Sequence, residues 1–142
     1  MKFSYLKFPK PERFDLFGKS LLRPVIPIRV GTQKHFLHYE ALIDSGADFC
    51  IFDAEVGEAI GIDVRNGEEA RFGGVQGLMS SKAYIHEVIL MIGGQEYKTY
   101  VAFSYDISRR GYGILGQRGF FDLFSVKFDL SKEEIELNAK RK

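Results

Sequence analysis

This 142-residue chain predicts a single all-β domain, closed as a barrel and carrying one or two short helices. Three observations predict it. Apolar and polar residues alternate in short runs, those runs are cut by glycine and proline turns, and nothing in the order gives the strand–helix–strand rhythm of a parallel sheet. At 142 residues, 45% apolar and 27% charged, the chain is long enough to bury a core but short for a two-lobed enzyme.

Residues 1–20 stand apart from the rest. Phe3, Tyr5, Phe8, Phe14 and Phe17 mix there with Lys2, Lys7, Lys10 and Arg13, without a period and with Pro9 and Pro11 among them. They predict an extended strap that packs by its aromatics, ahead of a domain over residues 21–142. From Pro24 the text is β: Val25 to Val30, a turn at Gly31-Thr32, then Lys34 to Ile43, with Leu37, Tyr39, Ala41 and Ile43 sharing one face. A short helix is expected after Asp53 as N-cap, with Val56, Ala59 and Ile60 on its inner side and Gly61 at its end.

Arg71 to Gly77 is a glycine-rich turn between two extended arms. A long strand to Ile92, a two-residue turn at Gly93-Gly94 and a strand through Phe103 follow. Residues 111–121 give a glycine-rich approach, an apolar pair and a short helix. Phe124, Val126, Phe128 and Leu130 then alternate with Ser125, Lys127 and Asp129 as a half-buried strand, and a last strand carries Ile135 and Leu137.

Charge and composition remove several function classes. A net charge of +1 leaves no electrostatic footprint for nucleic acid, and Lys140-Arg141-Lys142 reads as a solvated tail. Cys50 is the only cysteine, which forbids an intrachain disulfide and suits a reducing compartment. No apolar core of signal-peptide length follows Lys2, and the longest aliphatic run, Val88 to Ile92, is too short to span a bilayer. The expected location is the cytoplasm, with no membrane partner.

One stretch carries chemistry. Residues 41–48 read Ala-Leu-Ile-Asp-Ser-Gly-Ala-Asp, with Phe49-Cys50-Ile51-Phe52 directly after. A carboxylate, a small hydroxyl residue and a glycine are thus walled by apolar sequence on both sides. General acid–base catalysis requires a carboxylate presented from such a floor, because its surroundings tune its proton affinity. The stretch resembles the active-site loop of the retropepsin-like aspartic proteases, whose signature is Asp-Thr/Ser-Gly-Ala. Two more segments match that family in order. Phe72 to Ser81, with glycines at 73, 74 and 77, resembles the flap hairpin, and Ile114-Leu115-Gly116 resembles the apolar-apolar-Gly triplet that packs beneath the catalytic loop. The resemblance spans residues 24–138.

The resemblance implies a closed retropepsin-like barrel with a flap, and an aspartic endopeptidase. Asp44 would be the catalytic carboxylate, with Ser45 and Gly46 building its loop. Asp48 and the flap residues Gly73, Gly74, Val75, Gln76 and Gly77 would hold substrate, with Ile114, Phe49 and Leu78 as pocket walls. Catalysis in the family takes two facing carboxylates that activate water, with no metal or cofactor. This chain has one Asp-Ser-Gly, so activity requires a homodimer with two copies of Asp44. The family's terminal strands help build the subunit interface, which makes Ile135 and Leu137 candidates there. Retroviral members commonly carry Arg directly after the triplet, bracing the Asp matched by Asp48; here Gln117 holds that place and Arg118 follows, so the brace is left open. A non-catalytic peptide-binding module on the same fold is the alternative, and a plain β-barrel interaction domain the next.

Other motifs carry less. Gly111 to Gly116 spells G-x-G-x-x-G, but the long helix and second parallel strand of a dinucleotide site have no room behind it. His35 and His38 point to opposite faces of a strand, so with Glu40 they make no metal set. Cys50 reads as a buried, inert thiol, and Ser45 lacks the Gly-x-Ser-x-Gly of a hydrolase nucleophile.

Overall fold

The computed structural model describes residues 1–9, 16, 18, 20–33, 35–73, 80–107 and 111–141. They form an all-β structure with few helical turns. In chain order come β1 (Lys2–Ser4), β2 (Leu6–Pro9), β3 (Ser20–Arg23), β4 (Val25–Gly31), β5 (Phe36–Ile43) and β6 (Ile51–Asp53). Helix α1 (Ala54–Ala59) and a 3-10 turn (Val64–Asn66) precede β7 (Glu68–Phe72), β8 (Ser81–Ile92) and β9 (Gln95–Ser104). Then come β10 (Gly113–Leu115), β11 (Phe124–Asp129) and β12 (Glu134–Ala139).

Seven strands make one sheet in the order β4-β5-β10-β6-β9-β8-β7, and β4 pairs a second time, with β8, through Val30 and Leu90. β1-β12-β11 form a three-stranded sheet, and β2-β3 a two-stranded ribbon. Turn chemistry fixes the registers. Ile92 pairs with Gln95, leaving Gly93 and Gly94 alone at the corner with φ of 60° and 81°. A two-residue turn of this hand needs positive φ at both positions, which glycine supplies without steric cost.

Asp53 caps α1 as expected, its Oδ1 accepting the Glu55 N–H at 2.9 Å, and the chain leaves the helix through Gly61 at φ 91°. The inner face differs from the expected one. Ala54, Gly57 and Ile60 are buried while Ala59 is exposed, because a Cβ at Gly57 would stand 2.9 Å from the Phe103 ring. The helix lies too close to β9 for a larger residue.

The main core gathers Phe52, Phe103, Phe120 and Phe124 among aliphatic strand residues, with Phe52 and Phe103 edge to face at 6.1 Å. A smaller cluster of Ile51, Ile107 and Ile114, flanked by Ala47, Phe49 and Phe72, sits apart from it.

Two expectations for the C-terminal strands are corrected. Ile135 and Leu137 face no partner subunit: they are 0% and 1% exposed in the chain's own core, and both edges of β12 are taken, by β1 and by β11. The alternation of β11 also does not stay buried to its end, for Phe128 is 42% exposed and Leu130 61%. The N-terminal residues are strands. Phe3 pairs with Ile135, β2 pairs with β3, and Arg23 holds the ribbon by lying over the Phe8 ring and donating to the Tyr112 hydroxyl at 2.9 Å. Phe14 and Phe17 lie outside the described residues.

Candidate active site

β5 delivers Asp44, and β10 positions it. Ala41 to Ile43 run parallel to Gly113 to Leu115, and the Asp44 N–H donates to the Leu115 carbonyl at 2.9 Å. β6 pairs with the other edge of β10, at Ile51 and Ile114, so the three-residue β10 sits between two strands consecutive in sequence. The loop from Asp44 to Cys50 bridges them.

That loop is stitched along its length. Within it, the Ala47 N–H donates to the Asp44 carbonyl at 3.2 Å, and the Gly46 N–H donates to Asp44 Oδ1 at 2.9 Å. From beneath, the Gln117 N–H donates to the Ala47 carbonyl at 2.8 Å and the Arg118 N–H to the Asp48 carbonyl at 2.9 Å. Gly116 makes this approach possible: a Cβ there would stand 2.7 Å from the Phe49 carbonyl carbon and 2.8 Å from the Ala47 carbonyl oxygen. Asp44 is half-buried, whereas Ser45, Gly46 and Asp48 are exposed.

A cavity of about 250 Å³ opens beside the loop, lined by Gly46, Ala47, Asp48 and Phe49 on one side and by Arg71, Phe72 and Gly73 from the end of β7 on the other. Ile51 and Ile114 complete its wall. The structure thus brings Gly46, Asp48, Gly73 and Ile114 around one space, while Asp44 and Ser45 are not among the residues that line it. Gly74, Val75, Gln76, Gly77 and Leu78 lie outside the described residues. Their arms are in place, β7 and β8 pairing from Glu68 with Ile85 to Phe72 with Ser81. A larger cavity, about 330 Å³, also touches Phe49 but none of residues 44–48.

Arg118 lines that second cavity, and among the described residues no ion pair joins it to Asp48; the two meet only through backbone. The side chain that does reach the loop is Gln117, whose Nε2 donates to the Ser45 carbonyl at 2.7 Å. The sequence pattern marks Arg71 and Phe72 as the approach to the flap and Gln117 as the residue after the triplet, but assigns none of the three a place at the site. The proximity of Phe72 to Gly73 was a usable signal for the first two, whereas Gln117 could be assigned only by what it touches.

Beneath the loop Cys50 is fully buried, and the Gly116 N–H points at its Sγ from 3.4 Å. Burial pushes the thiol up to about 12 from 9.0, and also pushes the Tyr39 phenol up to about 12 from 10.0. Both groups therefore favour their neutral forms in the folded state. Their contribution to stability is complete below pH 9.0 and is lost as the unfolded chain ionises between there and pH 12. The melting temperature should accordingly fall steeply from pH 9 to 11, and a Cys50→Ala variant should fall less over that interval; parallel curves would remove Cys50 from this account.

Residues 26–118 match a known family, described as aspartyl protease. The chain belongs to the aspartyl protease family. Its fold is retropepsin-like. A retropepsin-like aspartic protease from Rickettsia conorii superposes with a TM-score of 0.55, covering 94% of this chain and 98% of that one at 14% identity. The retroviral protease-like domain of Ddi1 from Leishmania major gives 0.51 over 80% and 88% at 17% identity. EIAV protease complexed with the inhibitor HBY-793 gives 0.46 over 67% and 82% at 18%. No curated protein matches the sequence. In this member of the aspartyl protease family the Asp44–Gly46 turn and the apolar-apolar-Gly triplet are neighbours in space, 70 residues apart in sequence from Gly46 to Gly116.

Proposed function

We propose that the chain is a homodimeric aspartic endopeptidase in which two Asp44 carboxylates, one from each subunit, activate a water against a peptide carbonyl. The observation that carries this reading is the Asp44–Gly46 turn. It is presented on an exposed loop, braced from below by β10 and Gly116, with one such loop in the chain. Two facing carboxylates at hydrogen-bonding distance do not both ionise, so they share a proton and titrate together. The protonated one donates to the carbonyl oxygen and the ionised one takes a proton from water, so no covalent intermediate is required. Ser45 then holds the loop across the dimer axis, and the exposed Gly46 lets the two backbones approach.

In this reading the seven-stranded sheet with its β4–β8 pairing acts as a closed barrel, and the β7–β8 hairpin acts as the flap of the cavity beside the Asp44–Cys50 loop. An extended peptide lies between them, its backbone held by Asp48 and the flap, with Phe49, Phe72 and Ile114 favouring large apolar side chains at the cut. A single, buried cysteine suits the cytoplasm. The test is hydrolysis of a diverse peptide mixture from pH 4 to 8 by wild type beside Asp44→Asn. Cleavage between apolar residues is expected, reduced about a thousandfold or more in the variant. Peptide binding without cleavage by the wild type would favour a non-catalytic peptide-binding module.

A further inference from the structure

We propose that Gln117 is a positioning residue for the Asp44 carboxylate, acting through the single peptide unit between Ser45 and Gly46. This rests on the reading of Asp44 as the catalytic carboxylate. The Ser45 carbonyl accepts the Gln117 Nε2–H at 2.7 Å, and the Gly46 N–H donates to Asp44 Oδ1 at 2.9 Å. Those two groups are the opposite ends of one planar amide. The plane cannot turn at one end without turning at the other, so the donor that orients the carboxylate is aimed by the side chain that holds the carbonyl.

Two further effects act in the same direction. A carbonyl that accepts a hydrogen bond polarises its amide, which makes the N–H at the far end a better donor. Gln117 is itself well placed to hold a fixed position, for its N–H donates to the Ala47 carbonyl at 2.8 Å and its own carbonyl accepts the Asp122 N–H at 3.2 Å. Among the described residues no other donor reaches the Ser45 carbonyl. Without Gln117, an exposed turn is left to water, and the Gly46 N–H is free to swing away from Asp44. The loop's attachment to β10 does not depend on this contact, since the backbone bonds from Gln117 and Arg118 remain.

The test compares wild type with Gln117→Leu and Gln117→Glu, which keep the size of the side chain but lack the donor at neutral pH, and with Gln117→Lys, which keeps a donor. The first readout needs no activity: the amide proton of Gly46, followed by NMR, with Ile43 and Ala102 as internal references. In Gln117→Leu and Gln117→Glu the Gly46 amide should exchange roughly five- to tenfold faster and shift upfield, as expected for one lost hydrogen bond. Ile43 and Ala102 should stay unchanged, and Gln117→Lys should return Gly46 towards wild type. The second readout is peptide hydrolysis, where kcat should fall by a similar roughly five- to tenfold with KM within about twofold, again restored by Lys. An unchanged Gly46 amide in both donorless variants would overturn the proposal, as would a rise in KM at constant kcat. If the wild type cleaves no peptide, the peptidase reading fails, while the Gly46 amide still decides whether Gln117 aims it.

Discussion

Mixed with a threefold excess of Asp44→Asn chains, a fixed amount of wild type should keep about a quarter of its peptidase activity, because random pairing leaves one wild-type chain in four with a wild-type partner. The variant cannot supply the second ionisable carboxylate, so every mixed pair is inactive. The rate per chain should also fall on dilution below the dimer dissociation constant. Both outcomes follow from the same fact, that the chain holds a single Asp-Ser-Gly. Activity that is indifferent to the added variant and to dilution would mean that one chain is sufficient, and the shared-carboxylate mechanism would have to be abandoned. Ile135 and Leu137 are interior, so their side chains are not available to the pairing this prediction tests.

The second large effect is expected at Gly116. A methyl group there would press on the backbone of Phe49 and Ala47, and backbone has nowhere to retreat without parting the loop from β10. Gly116→Ala should therefore cost about 3 kcal/mol or more, the range of overpacking and of backbone strain. For a chain of this length that is a melting temperature lower by roughly 10 °C. Hydrolysis should suffer beyond the loss of stability, since the residues displaced carry Asp44. Gly73→Ala is the control. Gly73 has φ of 71° but open space around it, so that variant meets a conformational penalty of about 1 kcal/mol and no collision. A Gly116→Ala protein as stable as Gly73→Ala would show that the loop can lift from β10 freely.

Local signals in the sequence transmitted local structure well. Gly93-Gly94 specifies its turn because only positive φ suits it, and Asp53 specifies a helix start because its side chain answers an orphan N–H. The Asp44–Gly46 loop was legible from the change of polarity within an apolar run. What the sequence withheld depends on neighbours distant in the chain. Phe128 and Leu130 continue the alternation of Phe124 and Val126, but burial depends on what lies opposite, and both are left exposed. The second neighbour of β12 is β1, from the opposite end of the sequence, and no local pattern announces that pairing. Ala59 suited the inner face of α1 by period, yet Gly57 took it because β9 passes so close. Gln117 gave no signal because an exposed glutamine after a glycine has many uses, and only the position of the Ser45 carbonyl selects one.

The seam between β1 and β12 has a consequence for how the protein is made. The Met1 amine donates to the Leu137 carbonyl at 2.9 Å across a separation of 136 positions, and the Leu137 N–H returns a bond to the Met1 carbonyl at 2.8 Å. A contact of that span is among the slowest to form, because the whole intervening chain must be gathered first. During synthesis the first strand emerges early and waits without its partner until residues 134–139 have left the ribosome. Completion of the core around Ile135 and Leu137 thus waits until β12 has been synthesised.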